Sequence, residues 1–307
     1  MSELDVAAAG ADGLPAGLAR LRRELDDPVW TGAPDDGPPG PTVRLQGLSL
    51  GGDGDGLRDV DLAVAPGTRL VIAGLAPATG SRLLRVLAGL EPPDAGRVGV
   101  EAGGAGGGGD RPAPIVRSLS SQPRLLPWRS VVDNVAIGLE GGPARTHSLE
   151  ALERVGLRDR AAGWPAGLRD DEALRVAVAR LLAHAPQLLL LDDPLAAMPL
   201  GARLRLRALF ESLWPRSVSR TLVMVTQDLD DALVLADRLV LFEHGRIVAD
   251  DPVELPSPRA GGGSIADAAS AHMHRSKAWL GGEGNRPTLA VVGGRTAVPT
   301  PITRRHR

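Results

Sequence analysis

Gly74-Leu75-Ala76-Pro77-Ala78-Thr79-Gly80-Ser81 follows directly on the apolar run Leu70-Val71-Ile72-Ala73 and precedes Leu83-Leu84-Arg85-Val86-Leu87-Ala88-Gly89-Leu90. The short apolar run reads as a strand, the glycine-bounded stretch as a turn, and the leucine spacing as a helix from Leu83 to Leu90. A strand, a glycine turn and a helix with a hydroxyl at its start match the layout of a phosphate-binding loop, G-x-x-x-x-G-K-[S/T]. There, backbone N–H groups cradle the phosphates and the lysine reaches the β- and γ-phosphates. In this chain the second glycine is replaced by Thr79 and the lysine by Gly80, and Lys277, far downstream, is the only lysine present. The frame of a nucleotide site is written here without its principal charge.

Further motifs follow in order. They are Pro123-Arg124-Leu125-Leu126-Pro127-Trp128, Leu188-Leu189-Leu190-Leu191-Asp192-Asp193-Pro194, Val225-Thr226-Gln227-Asp228 and Ala232-Leu233-Val234-Leu235-Ala236-Asp237-Arg238. With the loop at Gly74, this series resembles the ATP-binding subunits of ATP-binding-cassette (ABC) transporters over residues 42–256. The Pro-Arg-Leu-Leu-Pro-Trp stretch is most similar to the nitrate, sulfonate and taurine importers. The resemblance implies a P-loop NTPase-like parallel sheet, an antiparallel β-subdomain and an inserted helical subdomain at about 125–185. It also implies ATP and Mg²⁺ as ligands, an importer permease and a second ATP-binding subunit as partners, and a place in the cytoplasm at the inner face of the membrane.

Composition agrees with a globular chain. Its 307 residues are 43% hydrophobic and 23% charged, with a net charge of −2 that gives no reason to expect a nucleic-acid partner. Zero cysteines exclude disulfides and thiolate metal sites. No apolar run approaches the roughly twenty residues of a membrane span, and the opening Met1-Ser2-Glu3-Leu4-Asp5-Val6 is not expected to be a signal peptide.

Residues 1–41, with a short helix at Leu18 to Leu25 and a Pro/Gly-rich stretch from Gly32 to Pro41, read as a disordered lead. Alternation predicts strands at Val43 to Leu48 and Leu57 to Val64, and Gly103 to Gly109 reads as a loop. Helices are expected at Ser148 to Val155, Glu172 to Ala183 and Leu204 to Leu213, with buried strands at Leu188 to Leu191 and Thr221 to Val225. Their alternation argues for an α/β parallel sheet with right-handed crossovers. Residues 257–307 read as a low-complexity tail, in which Thr288 to Val298 has the pattern of an isolated hairpin. His272 and His274 lie there without a third ligand and read as solvated histidines rather than a metal site.

Position by position, the resemblance gives Ser81 and Asp192 as Mg²⁺ contacts. Read without it, they are a helix cap and a strand-end carboxylate, and both readings stand. Gly74, Thr79, Gly80, Ser81, Arg82 and Ser121 occupy the nucleotide-binding positions of a degenerate site. Thr79 is β-branched where glycine's positive φ is useful, so a misshapen cradle is expected. Arg82 is two residues late for the lysine, and Ser121 stands where the family has a phosphate-sensing glutamine. Asp193 replaces the general-base glutamate, Gln227 the γ-phosphate histidine and Pro199 an interface aspartate. Neither Phe210 nor Phe242 precedes the loop, and there is no tyrosine, so no aromatic platform for adenine is expected.

The family's signature, Leu-Ser-Gly-Gly, is here Leu168-Arg169-Asp170-Asp171-Glu172. Three carboxylates at a helix start favour the helix dipole and repel phosphate, so a capped helix is the expected structure. Leu126 and Trp128 match a docking segment for the permease, and Trp128 reads either as an interface anchor or as ordinary packing. Two functions compete. One is a subunit fold that has lost hydrolysis and acts as a structural or regulatory partner, binding ATP and Mg²⁺ weakly or not at all. The other is an active subunit that hydrolyses ATP to power import of a small anionic solute. Restoring lysine at position 80 is expected to raise nucleotide affinity.

Overall fold

The computed structural model describes residues 39–51, 56–102, 113–214 and 220–253. The readings for the lead up to residue 38, the Gly103 to Gly109 loop, the tail hairpin and His272 and His274 lie outside the described residues. Nine strands and six α-helices are described. In chain order they are β1 (Thr42–Leu50), β2 (Leu57–Val64), β3 (Arg69–Ala73), α1 (Pro77–Leu87), β4 (Ala95–Glu101), β5 (Val116–Ser120), α2 (Val131–Val135) and α3 (Ala144–Arg154). Then come α4 (Asp170–Ala183), β6 (Leu188–Asp192), α5 (Leu200–Leu213), β7 (Thr221–Val225), α6 (Leu229–Leu235), β8 (Arg238–Glu243) and β9 (Arg246–Pro252).

The principal sheet has the order β5-β6-β7-β3-β8-β9, parallel through β8 and closed by the antiparallel β9. A smaller antiparallel sheet, β2-β1-β4, packs on it. The sheet is therefore mixed at its β9 edge, where the expectation was a parallel one. β3 and β7 are buried along their whole length and β6 over Leu188 to Leu191, which is why they read as unbroken apolar runs.

Alternate residues of these strands enter two separate cores. Leu70, Ile72, Leu188, Leu190, Val223 and Val225 face α1 and the small sheet. Val71, Leu189, Leu191, Leu222 and Met224 face α5, α6 and the helices inserted between β5 and β6. A strand's two-residue period makes this division automatic. The buried Arg69 guanidinium pins β3 to the start of β8, donating from Nε and Nη2 to the two Asp237 carboxylate oxygens at 3.1 and 2.7 Å. All the candidate nucleotide residues but Arg82 follow the carboxyl ends of β3, β5, β6 and β7, where open α/β sheets gather their sites.

Candidate functional site

The turn after β3 differs from the expected one. Gly74 holds φ +83°, and a Cβ there would lie 2.2 Å from the Phe242 carbonyl oxygen, so only glycine fits. From Pro77 onward, however, the chain is already helical. Proline at the first helical position needs no N–H partner and has its φ pre-set, so α1 starts six residues before the expected Leu83. Two corrections follow. Thr79 sits in the right-handed helix and not at positive φ, so it imposes no strain of the kind expected. The Gly80 N–H is not available to an anion, because it donates to the Ala76 carbonyl at 2.9 Å.

Gly80 also faces inward. A Cβ at this position would lie 2.5 Å from Cγ1 of Val225. The place of a side chain at position 80 is therefore taken by β7, and this packing opposes the expected gain in affinity from a lysine restored here. Arg82 turns away from the loop. Its Nε donates to Glu91 at 2.6 Å and its two terminal nitrogens to Asp94 at 2.8 and 2.6 Å. The Asp94 and Glu91 hydrogen bonds raise the Arg82 pKa, and the same contacts lower those of the two carboxyls. All three of its donor nitrogens are committed, so Arg82 is no substitute for the lysine.

Four sequence-chosen residues do converge. Ser81 Oγ donates to Asp192 Oδ2 at 2.6 Å, joining the first turns of α1 to the end of β6. Asp193 sits at φ +41° and its N–H donates to the Val225 carbonyl at 2.8 Å. Its carboxylate accepts from Thr226 Oγ1 at 2.9 Å and from the Gln227 N–H at 3.4 Å. The Gln227 Nε2 then donates to the Leu75 carbonyl at 2.7 Å, tying the end of β7 to the loop. Two carboxylates, two hydroxyls and an amide meet here, with no cation among them. A Mg²⁺ ion suits the Ser81–Asp192 oxygen pair. In the loop, Pro77 has no N–H to offer and the Gly80 N–H is spent within the helix.

Other positions stay apart. Ser121 follows β5 directly, one residue past the Ser120–Asp192 pairing, and its side chain makes no hydrogen bond among the described residues. Phe210 is buried and stacks on Trp214 at 5.2 Å, and Phe242 is buried on β8, so neither serves adenine. The signature-position residues form their own group at the start of α4. Glu172 accepts the Arg169 N–H at 2.9 Å and lies 3.5 Å from the Arg160 guanidinium. Asp171 is buried between Arg169 and Arg175, at 3.0 and 3.2 Å. Burial pushes the Asp171 carboxyl up, but Arg169, Arg175 and Arg205 outweigh it and hold it below the usual range. Asp170 is exposed at the first helical position. The start of this helix is capped by its own side chains.

Sequence reading passed over a charged network behind Gln227. Asp228 caps α6, accepting from the N–H groups of Asp230 and Asp231, and Arg203 of α5 binds it at 2.9 Å. Asp231 is fully buried against Arg207 and Arg203. Burial raises its pKa despite those cations. The Arg203/Arg207 and Asp228/Asp231 spacings, one helical turn each, were the available signal.

A largely parallel sheet with a loop after β3, a hydroxyl–carboxylate bond joining the first turns of α1 to the end of β6, an antiparallel subdomain and inserted helices are the parts of an ATP-binding cassette. The chain belongs to the ABC transporter ATP-binding family, whose model matches residues 57–196. It is 44% identical to the aliphatic sulfonates import ATP-binding protein SsuB 2 of Xanthomonas axonopodis pv. citri (strain 306), over 72% of this chain and 74% of that protein. To the aliphatic sulfonates import ATP-binding protein SsuB of Cupriavidus necator it is 43% identical, over 81% of this chain and 80% of the relative. Among solved structures, cbiO1 from Clostridium perfringens, part of the ABC transporter complex cbiONQ, superposes with TM-score 0.60 at 18% identity. It covers 78% of this chain and 98% of its own. The chain is thus an ABC-family member similar in sequence to aliphatic sulfonates import ATP-binding proteins.

Proposed function

We propose that this chain is a hydrolysis-deficient subunit of a nitrate/sulfonate/taurine-type importer, serving as a structural or regulatory partner of the permease. The observation that carries the reading is the loop. Its phosphate-facing segment is wound into α1, its Gly80 N–H is bonded to Ala76, and the lysine position is filled by Val225. Loss of the lysine's charge-assisted hydrogen bonds alone removes about 1.5–3 kcal/mol each. The signature-position helix supports the same reading, since its first turn carries Asp170, Asp171 and Glu172, whose negative charge opposes a phosphate there. The docking segment argues for a retained partner. Trp128 is 70% exposed, so it is not ordinary core packing, and Leu126 beside it is half-buried. Exposed tryptophan beside proline is the kind of anchor that dominates interfaces. Among the described residues no helix is long and apolar enough to cross a membrane, which suits a subunit peripheral to it, on the cytoplasmic face.

The active reading is supported by the intact Ser81–Asp192 pair at 2.6 Å and by the similarity to import ATP-binding proteins. A titration of the purified chain with a fluorescent ATP analogue and Mg²⁺, followed by phosphate release, separates the two. Weak or no binding and no turnover above background are expected. Turnover that disappears in Asp193→Asn overturns the proposal and restores the active reading.

A further inference from the structure

We propose that Asn134 is the positioning residue of the docking loop, a proposal that rests on reading Trp128 as the permease contact. Asn134 lies on α2 with no solvent exposure. Its Oδ1 accepts the Leu126 N–H at 2.7 Å, and the two hydrogens of its Nδ2 are shared among the carbonyls of Leu126, Arg129 and Ser130, each 3.0 Å from the nitrogen. One buried amide therefore holds both ends of residues 126–130, and the Arg129 N–H closes the turn on Leu126 O at 3.1 Å.

Pro127 and Trp128, between the clamped ends, are left pointing outward. An exposed indole gains free energy by folding back onto apolar surface, so holding it in water requires a rigid loop. The clamp provides that rigidity. α2 is itself fixed to the segment ending at Trp164, because the Val131 and Val132 N–H groups donate to Gly163 and Ala161 at 2.8 and 2.9 Å. Trp164 is 57% exposed, so both exposed tryptophans hang on the same backbone frame.

The residue type is decided by the bonds. Aspartate keeps the acceptor and loses both donor hydrogens, leucine has the shape and no polar atom, and glutamine is a methylene too long. Binding to the genomically adjacent permease in detergent is the test, for wild type, Trp128→Ala, Asn134→Asp and the double variant. Trp128→Ala is expected to lower affinity about thirtyfold or more, and Asn134→Asp about tenfold, with faster amide exchange at residues 125–130 and a cooperative melt retained. The double variant is expected to bind no more weakly than Trp128→Ala alone, within about threefold, because Asn134 acts through the loop. Wild-type binding by Asn134→Asp, or losses that multiply in the double variant, leaves Asn134 a merely structural residue and overturns the proposal. Wild-type binding by Trp128→Ala overturns the docking reading instead, and this proposal with it. If Asn134→Asp does not melt cooperatively, Asn134→Ser, which keeps a smaller donor and acceptor, is read by the same criteria.

Discussion

Position 80 carries the sharpest consequence of a single residue. A side chain there has to displace Val225 Cγ1, which a Cβ would approach to 2.5 Å, and β-branched valine in a buried strand yields poorly. Gly80→Lys is therefore expected to cost about 1–3 kcal/mol by overpacking. It is expected to leave affinity for Mg-ATP within about twofold of wild type, since a gain of charge needs the ammonium to reach the loop. Urea unfolding and the fluorescent-analogue titration measure the two effects. Tighter nucleotide binding at unchanged stability would show that α1 unwinds readily at its start. At the same scale, Ser81 and Asp192 were readable because one precedes the leucine run of α1 and the other ends the apolar β6. The use of Arg82 was not, because Glu91 and Asp94 meet it only through the turn after α1.

At the level of elements, His184 joins three of them. It ends α4, its Nδ1 lies 3.1 Å from Arg117 Nη2 of β5, and its Nε2 lies 3.0 Å from the Ile137 carbonyl beyond α2. A cation on one side and a carbonyl on the other require the neutral Nε2–H tautomer. Burial depresses the His184 pKa, Arg117 and Arg180 add to this, and the Ile137 contact opposes it. The unfolded chain takes up a proton near pH 6.5 while the folded imidazole stays neutral. Stability is therefore fully present above that pH and falls as pH drops below about 6.5 toward the lower folded value. His184→Gln removes this titration. Urea midpoints at pH 7.5 and 5.5 are expected to differ more for wild type than for His184→Gln, and equal differences would place the imidazole outside the joint. The strands and long helices were legible because period two and period 3.6 survive in the sequence. The early start of α1 was not, because Pro77 inside a glycine loop reads as a turn until the packing of Gly80 on β7 is seen.

At the scale of the whole molecule, nucleotide and docking surface are expected to be uncoupled. Ser121, which the resemblance puts at the family's sensing position, makes no side-chain hydrogen bond to the Ser81–Asp192–Asp193 group among the described residues. Permease affinity is thus expected to stay within about twofold with and without Mg-ATP, as 1.4 kcal/mol of coupling would give tenfold. A nucleotide-dependent change well beyond this points to a coupling route other than residue 121. By itself the sequence determined the family, the α/β core and the absence of lysine from the loop, because apolar periodicity and residue identity are local properties. The tertiary structure alone decided that the loop is wound into α1, that Val225 fills the lysine's place and that Arg82 belongs to Glu91 and Asp94. It also decided that Trp128 stands in solvent on a frame held by Asn134. Each of these depends on distances between residues far apart in the chain or across a turn, and side-chain packing, not local pattern, sets those distances.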